Sequence, residues 1–105
     1  MTTLHIEHPI TDLDLWLAAF DRMSETRANA GVTAQRVLRP VDDPNYIFVD
    51  LDFATTEEAQ RFLGFLESKV WSSNDNAPAL AGTPQTKLLQ PAGLGNESKV
   101  WSVGR

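Results

Sequence analysis

Ile47-Phe48-Val49-Asp50-Leu51-Asp52-Phe53 reads as a strand with two unlike faces. Ile47, Val49, Leu51 and Phe53 alternate with Phe48, Asp50 and Asp52, the two-residue period of a pleated strand. The first set is wholly apolar and belongs against helices. The second carries an aromatic ring and two carboxylates, so that side of the sheet meets something other than a dry core.

Working outward, Pro40-Val41-Asp42-Asp43-Pro44-Asn45 is dense in turn formers and predicts a hairpin loop before a strand over Tyr46 to Phe53. Val32 to Arg39 has the alternation of the partner strand. Thr55 and Glu58 stand at capping-box spacing and start a helix with its apolar stripe at Ala59, Phe62, Leu63, Leu66 and Val70. Toward the N-terminus, Leu4 to His8 predicts a strand with Leu4, Ile6 and His8 on one side and His5 and Glu7 on the other, closed by Pro9. Thr11, with Asp14 bonding back, is the expected cap of a helix whose stripe is Leu13, Trp16, Leu17, Phe20 and Met23; Gly31 is its expected stop. Trp71 to Gly82 reads as an irregular or short-helical connection and Gln85 to Gln90 as a last strand.

This order, strand-helix-strand-strand-helix-strand, gives an α+β, ferredoxin-like βαββαβ split sandwich when each crossover is right-handed. It predicts an antiparallel four-stranded sheet in spatial order 4-1-3-2, with both helices on one face and the other face bare. His5, Glu7, Asp50 and Asp52 then form one polar cluster on the bare face, beside Phe48 and Tyr46, joined by Gln35 or Arg36 according to register. Crowded carboxylates should raise one another's pKa. The cluster supports two readings: a site for acid–base work or a weak oxygen-rich metal site, or a solvated face with a few charges. Phe48 asks for cover, which a second copy of the sheet supplies.

A chain of 105 residues bounds one domain, near the size at which a partner subunit adds useful burial. The expected domain is 1–91, followed by a tail over 92–105. There is no cysteine, hence no disulfide framework or thiolate metal site. Net charge is −5 and the cations are scattered, which argues against nucleic acid and anionic membrane as partners. No apolar run has membrane-spanning length and the N-terminus lacks the regions of a signal peptide, so a cytoplasmic location is expected. Glu67-Ser68-Lys69-Val70-Trp71-Ser72 recurs as Glu97-Ser98-Lys99-Val100-Trp101-Ser102; no physical account favours tail docking on a partner over an assembly artefact.

The runs His8-Pro9-Ile10-Thr11-Asp12-Leu13-Asp14-Leu15-Trp16-Leu17-Ala18-Ala19-Phe20-Asp21, Arg36-Val37-Leu38-Arg39, Asp42-Asp43-Pro44-Asn45 and Leu51-Asp52-Phe53 resemble the small dimeric α/β-barrel proteins, and within them the antibiotic-biosynthesis-monooxygenase-like set, often labelled monooxygenase or "cyclase". The resemblance runs from about His5 to Gln90. It implies a homodimer in which two sheets pack through their bare faces into a barrel. It also implies a pocket either between each sheet and its own helices or inside the barrel. Members include cofactor-free oxygenases of aromatic polyketides, haem-degrading oxygenases and many proteins with no known reaction. The chain departs from the haem-degrading pattern: both histidines lie on the first strand, the second helical region has none, and the first-strand asparagine is absent.

On this basis the expected ligand is a small apolar or aromatic molecule, with no metal or organic cofactor. The expected pocket is edged by Trp71, Tyr46, His8 and Phe48, with Arg36, Asn74 and Trp16 as further substrate contacts. His8 or His5 would act as the base that removes a proton from an activated aromatic substrate before oxygenation or ring closure. Each residue also has a plain structural reading: His8 bonded to a neighbouring backbone group, Trp16 in the core, Arg36 paired with Asp50 or Glu7, Asn74 in a turn. His5, Glu7, Asp50 and Asp52 stand as a weaker metal-site alternative. A non-enzymatic homodimeric ligand-binding or interaction module is the second functional reading, because no phosphate loop or nucleophile motif is present.

Overall fold

The computed structural model describes residues 1–73 and 77–92. Strand β1 (Thr2–Pro9) is followed by helices α1 (Leu13–Arg22) and α2 (Ser24–Ala30), strands β2 (Val32–Leu38) and β3 (Tyr46–Phe53), helix α3 (Thr56–Phe65), a π-helical turn (Leu66–Val70) and strand β4 (Gln85–Leu89). The sheet order is β2-β3-β1-β4, antiparallel throughout. This is the ferredoxin-like arrangement that the strand patterns predict. Among the described residues no helix is long and apolar enough to cross a membrane.

Alternation decides the sides. Leu4 and Ile6 of β1 and Ile47, Val49, Leu51 and Phe53 of β3 are all buried, and Ala59, Phe62, Leu66 and Val70 close over them. The predicted capping box is present: Glu58 N–H donates to Thr55 Oγ1 at 3.1 Å, and Thr55 N–H to Glu58 Oε1 at 3.3 Å. Gly31 ends α2 in the left-handed conformation, with φ 103°.

Three local expectations need correction. The cap of α1 is Asp12, whose carboxylate accepts from Leu15 N–H, not Thr11. Thr11 is still part of an extended pairing: its N–H donates to Ala79 O at 3.0 Å, so the helix starts only after it. The single first helix is two helices, divided at Met23, whose φ of −101° and ψ of 15° leave the helical region. And the stripe of α1 is not sealed, for no residue of α1 is buried and Leu17 is 40% exposed.

Candidate functional site

His8 ends the inward-facing row of β1 and is only 3% exposed. Its Nδ1 lies 2.9 Å from Pro9 O. A carbonyl only accepts, so Nδ1 carries the hydrogen and Nε2 keeps its lone pair. Burial lowers the His8 pKa, outweighing the opposing backbone hydrogen bond, so the ring is neutral at pH 7. Among the described residues Nε2 has no hydrogen-bond partner. The result is a buried base with an open acceptor.

That base faces a space left under α1. A cavity of about 70 Å³ is walled by Ile6 and His8 of β1, Val49 and Leu51 of β3, and Phe62 and Leu66. Trp16, Phe20, Met23, Arg27 and Trp71 complete it. A second cavity of about 60 Å³ shares His8, Trp16, Met23 and Trp71 and runs on toward Ala77 to Leu80. The first has room for on the order of five waters; an apolar cavity of ~150 Å³ takes a benzene ring, so an aromatic guest must draw on the second cavity or on movement of the α1 side chains as well. The unsealed stripe of α1 and the cavity are one fact: side chains that would fill a core stand here as walls. Trp16 and Phe20 stack with centroids 4.9 Å apart. Trp71 is carried by the π-helical turn, its N–H donating to Leu66 O five residues back at 2.8 Å. Ser68 and Ser72 hydroxyls donate to carbonyls four residues back, at 2.8 Å each, a bonding that bends helices.

The bare face is a different environment. His5 Nδ1 lies 2.7 Å from Asp50 Oδ1 and Nε2 lies 2.8 Å from Glu7 Oε2. Both carboxylates accept, so both ring nitrogens donate and the ring is an imidazolium. Burial alone would lower the His5 pKa; the hydrogen bonds and charges of Glu7 and Asp50 reverse it, and the net direction is upward. Tyr46 donates its hydroxyl to Glu7 Oε1 at 2.8 Å. Arg36 holds Asp52 through two hydrogen bonds, of 2.9 and 3.1 Å, and lies 3.8 Å from Asp50. Thr3 donates to Asp52 at 2.7 Å. The expectation of raised carboxylate pKa values is therefore reversed. Arg36 holds Asp52 below its ordinary value, and His5 and Tyr46 do the same for Glu7.

The residues expected to edge one pocket thus separate. His8, Trp16 and Trp71 meet in the helix-side cavity, while Tyr46, Phe48 and Arg36 lie across the sheet on the bare face, which also carries His5. Asn74 lies outside the described residues, as do the tail from 93 and the second copy of the repeated segment. Both His5 nitrogens are taken up by Glu7 and Asp50, so neither is open to a ligand in this arrangement. Among the described residues no group of three or more His, Asp and Glu side chains has a metal-holding arrangement.

No family model matches the chain, and no curated protein matches it. Solved structures do. SnoaB, a cofactor-independent oxygenase from Streptomyces nogalater, is similar at TM-score 0.68 and 17% identity, over 91% of this chain and 97% of that one. A putative antibiotic biosynthesis monooxygenase from Nitrosomonas europaea is similar at TM-score 0.64 and 14% identity, over 88% and 99%. The fold is that of the antibiotic-biosynthesis-monooxygenase-like proteins. A protein of unknown function from Nitrosomonas europaea is similar at TM-score 0.69 and 15% identity, over 93% and 95%.

Reading the sequence did not single out Arg27. It is buried on α2, donates Nε–H to Gln35 Oε1 at 2.9 Å and an Nη1 hydrogen to Phe20 O, and holds its Cζ over the Phe20 ring, 3.6 Å from the centroid. The signal was present: Arg27 follows Phe20 and Met23 at helical spacing, a cation on the apolar stripe. The split at Met23 and the Phe20 carbonyl that Arg27 takes up are parts of one local solution.

Proposed function

We propose that this monooxygenase-like domain binds a small aromatic molecule in the cavity beneath α1 and acts on it as a cofactor-independent oxygenase or cyclase, with His8 as the base. The observation that carries this reading is the neutral His8, its Nε2 open, in a space walled by Trp16, Phe20 and Trp71. An apolar cavity with few polar groups is the usual form of a small-molecule site. A buried base with a lowered pKa takes a proton without first losing one of its own. The electron-rich carbanion or phenolate so formed reacts with dioxygen directly. For a ring CH₂ the overall change is CH₂ + O₂ → C=O + H₂O: the substrate is oxidised, dioxygen is the oxidant, and one oxygen leaves as water.

Assembly as a homodimer through the bare face belongs to the same reading. Phe48 lies on that face, and its neighbour across the strands, Leu38, is 58% exposed. The charges beside them are already paired within the chain, which makes the face ready for burial against a second copy.

The test is dioxygen uptake with a panel of single-ring phenols and hydroquinones, in the wild type and in His8→Ala. A rate that falls about 10²–10⁴-fold in the variant is expected of a lost general base. Saturable binding with no uptake by any member would favour the non-enzymatic ligand-binding module.

A further inference from the structure

Arg27 brings a charge to the cavity that no close carboxylate neutralises. It is 5% exposed and lines the same cavity as His8. Among the described residues no carboxylate comes within salt-bridge distance of it; Asp21, six residues earlier at the end of α1 and outside that distance, is the charge that acts on it. Its hydrogen bonds use two of the five guanidinium N–H groups. Three donors remain without an acceptor among the described residues. Anchoring the Phe20 carbonyl and Gln35 and lying over the Phe20 ring account for the position of the side chain and for part of its charge, but none of them is a countercharge, and buried cations are ordinarily paired with one.

We propose that Arg27 is the anion-recognising group of the cavity, and that the ligand is an aromatic oxyanion whose ring lies among Trp16, Phe20 and Trp71 with its charge against the guanidinium. This rests on the reading of the cavity as a ligand site and narrows it to a charged class of ligand. The remaining donors suit carboxylate or phenolate oxygen, and the guanidinium fork suits a planar carboxylate best. A ligand anion would supply the missing countercharge. The open Nε2 of His8 lies in the same walls, so the two polar groups fix the orientation of an otherwise apolar guest.

The test compares benzoate with benzamide, its neutral isostere, by calorimetry and tryptophan fluorescence. The wild type should bind benzoate about tenfold or more tightly than benzamide. Arg27→Lys should keep the preference; Arg27→Met should lose it while holding benzamide as before. Equal affinities in the wild type, or a preference that survives Arg27→Met, would overturn the assignment of Arg27 and leave the cavity reading standing. Binding of neither compound would overturn both. Should Arg27→Met not fold, the Arg27 side-chain N–H resonance of the wild type decides: benzoate must shift it and benzamide must not.

Discussion

His5 and His8 stand on the same strand and point through opposite sides of the sheet, one held charged and the other held neutral. His5 is gripped at both nitrogens by Glu7 and Asp50; His8 gives one hydrogen to Pro9 O and keeps the other nitrogen open. Odd and even positions on a strand make this division without any other device.

The two rings should titrate in opposite directions from the ordinary value of 6.5. Followed by NMR against pH, His5 should remain protonated above that value and His8 should stay neutral below it. The signs carry into stability. The contribution of His5 is fully present below 6.5 and is lost as pH rises through its raised folded pKa. The contribution of a neutral His8 is present above 6.5 and declines as pH falls toward its lowered folded pKa. His8→Phe should therefore flatten the acid side of the stability curve and His5→Gln the alkaline side. Coincident titration of the two rings would contradict the assignment.

Asp52 is buried, and Arg36 is the cation that holds it. Arg36→Met should lower unfolding free energy by about 1–2 kcal/mol in urea at pH 7, the lower part of the range for bonds to charged groups because Arg36 itself is half-exposed. Asp52 has a lowered pKa, so the loss should shrink as pH falls below its ordinary 3.8 and the carboxylate is protonated in both states. A pH-independent difference would show that the pair is not its source.

Gly31→Ala should destabilise by about 1–3 kcal/mol, measured as a urea midpoint. The residue sits at φ 103°, and an added Cβ would meet Glu58 Oε2 at 2.8 Å. Glu58 also serves the capping box of α3, so moving it away loosens a second helix end. An unchanged midpoint would mean that the turn relaxes into another conformation at no cost.

Phe48→Glu should leave the domain folded and convert a homodimer to a monomer, read by light scattering. Phe48 is partly covered within one chain, by Tyr46 at 5.3 Å and His5 at 6.0 Å between ring centroids, and it faces away from the core. A wild type that is monomeric at high micromolar concentration would remove the dimer from the account.

Much of the fold was legible because period-two and helical patterns in β1, β3 and α3 agree with their caps and turns. The third strand matches residue for residue, Tyr46–Phe53. What escaped was set by tertiary context. Thr11 is no helix cap because Ala79, far along the chain, holds its N–H. The stripe of α1 is the same whether it seals a core or roofs a cavity, so Trp16 read as core first and as a substrate contact second. The candidate site was half legible. His8, Trp16 and Trp71 fall in the cavity, but Tyr46 and Phe48 were joined to them across a sheet that the alternation itself had already divided. Arg27 was passed over as one scattered cation, although its place on the apolar stripe distinguished it.

The central claim is that the ligand site is the cavity under α1 and not the bare face. The most direct test is an NMR titration with phenol, following the indole N–H resonances of Trp16 and Trp71 and the imidazole resonances of His5 and His8. The account predicts that Trp16, Trp71 and His8 move together and saturate at one midpoint while His5 stays still. Movement of His5 with Trp16 and His8 silent would contradict it, and so would a titration in which none of them moves.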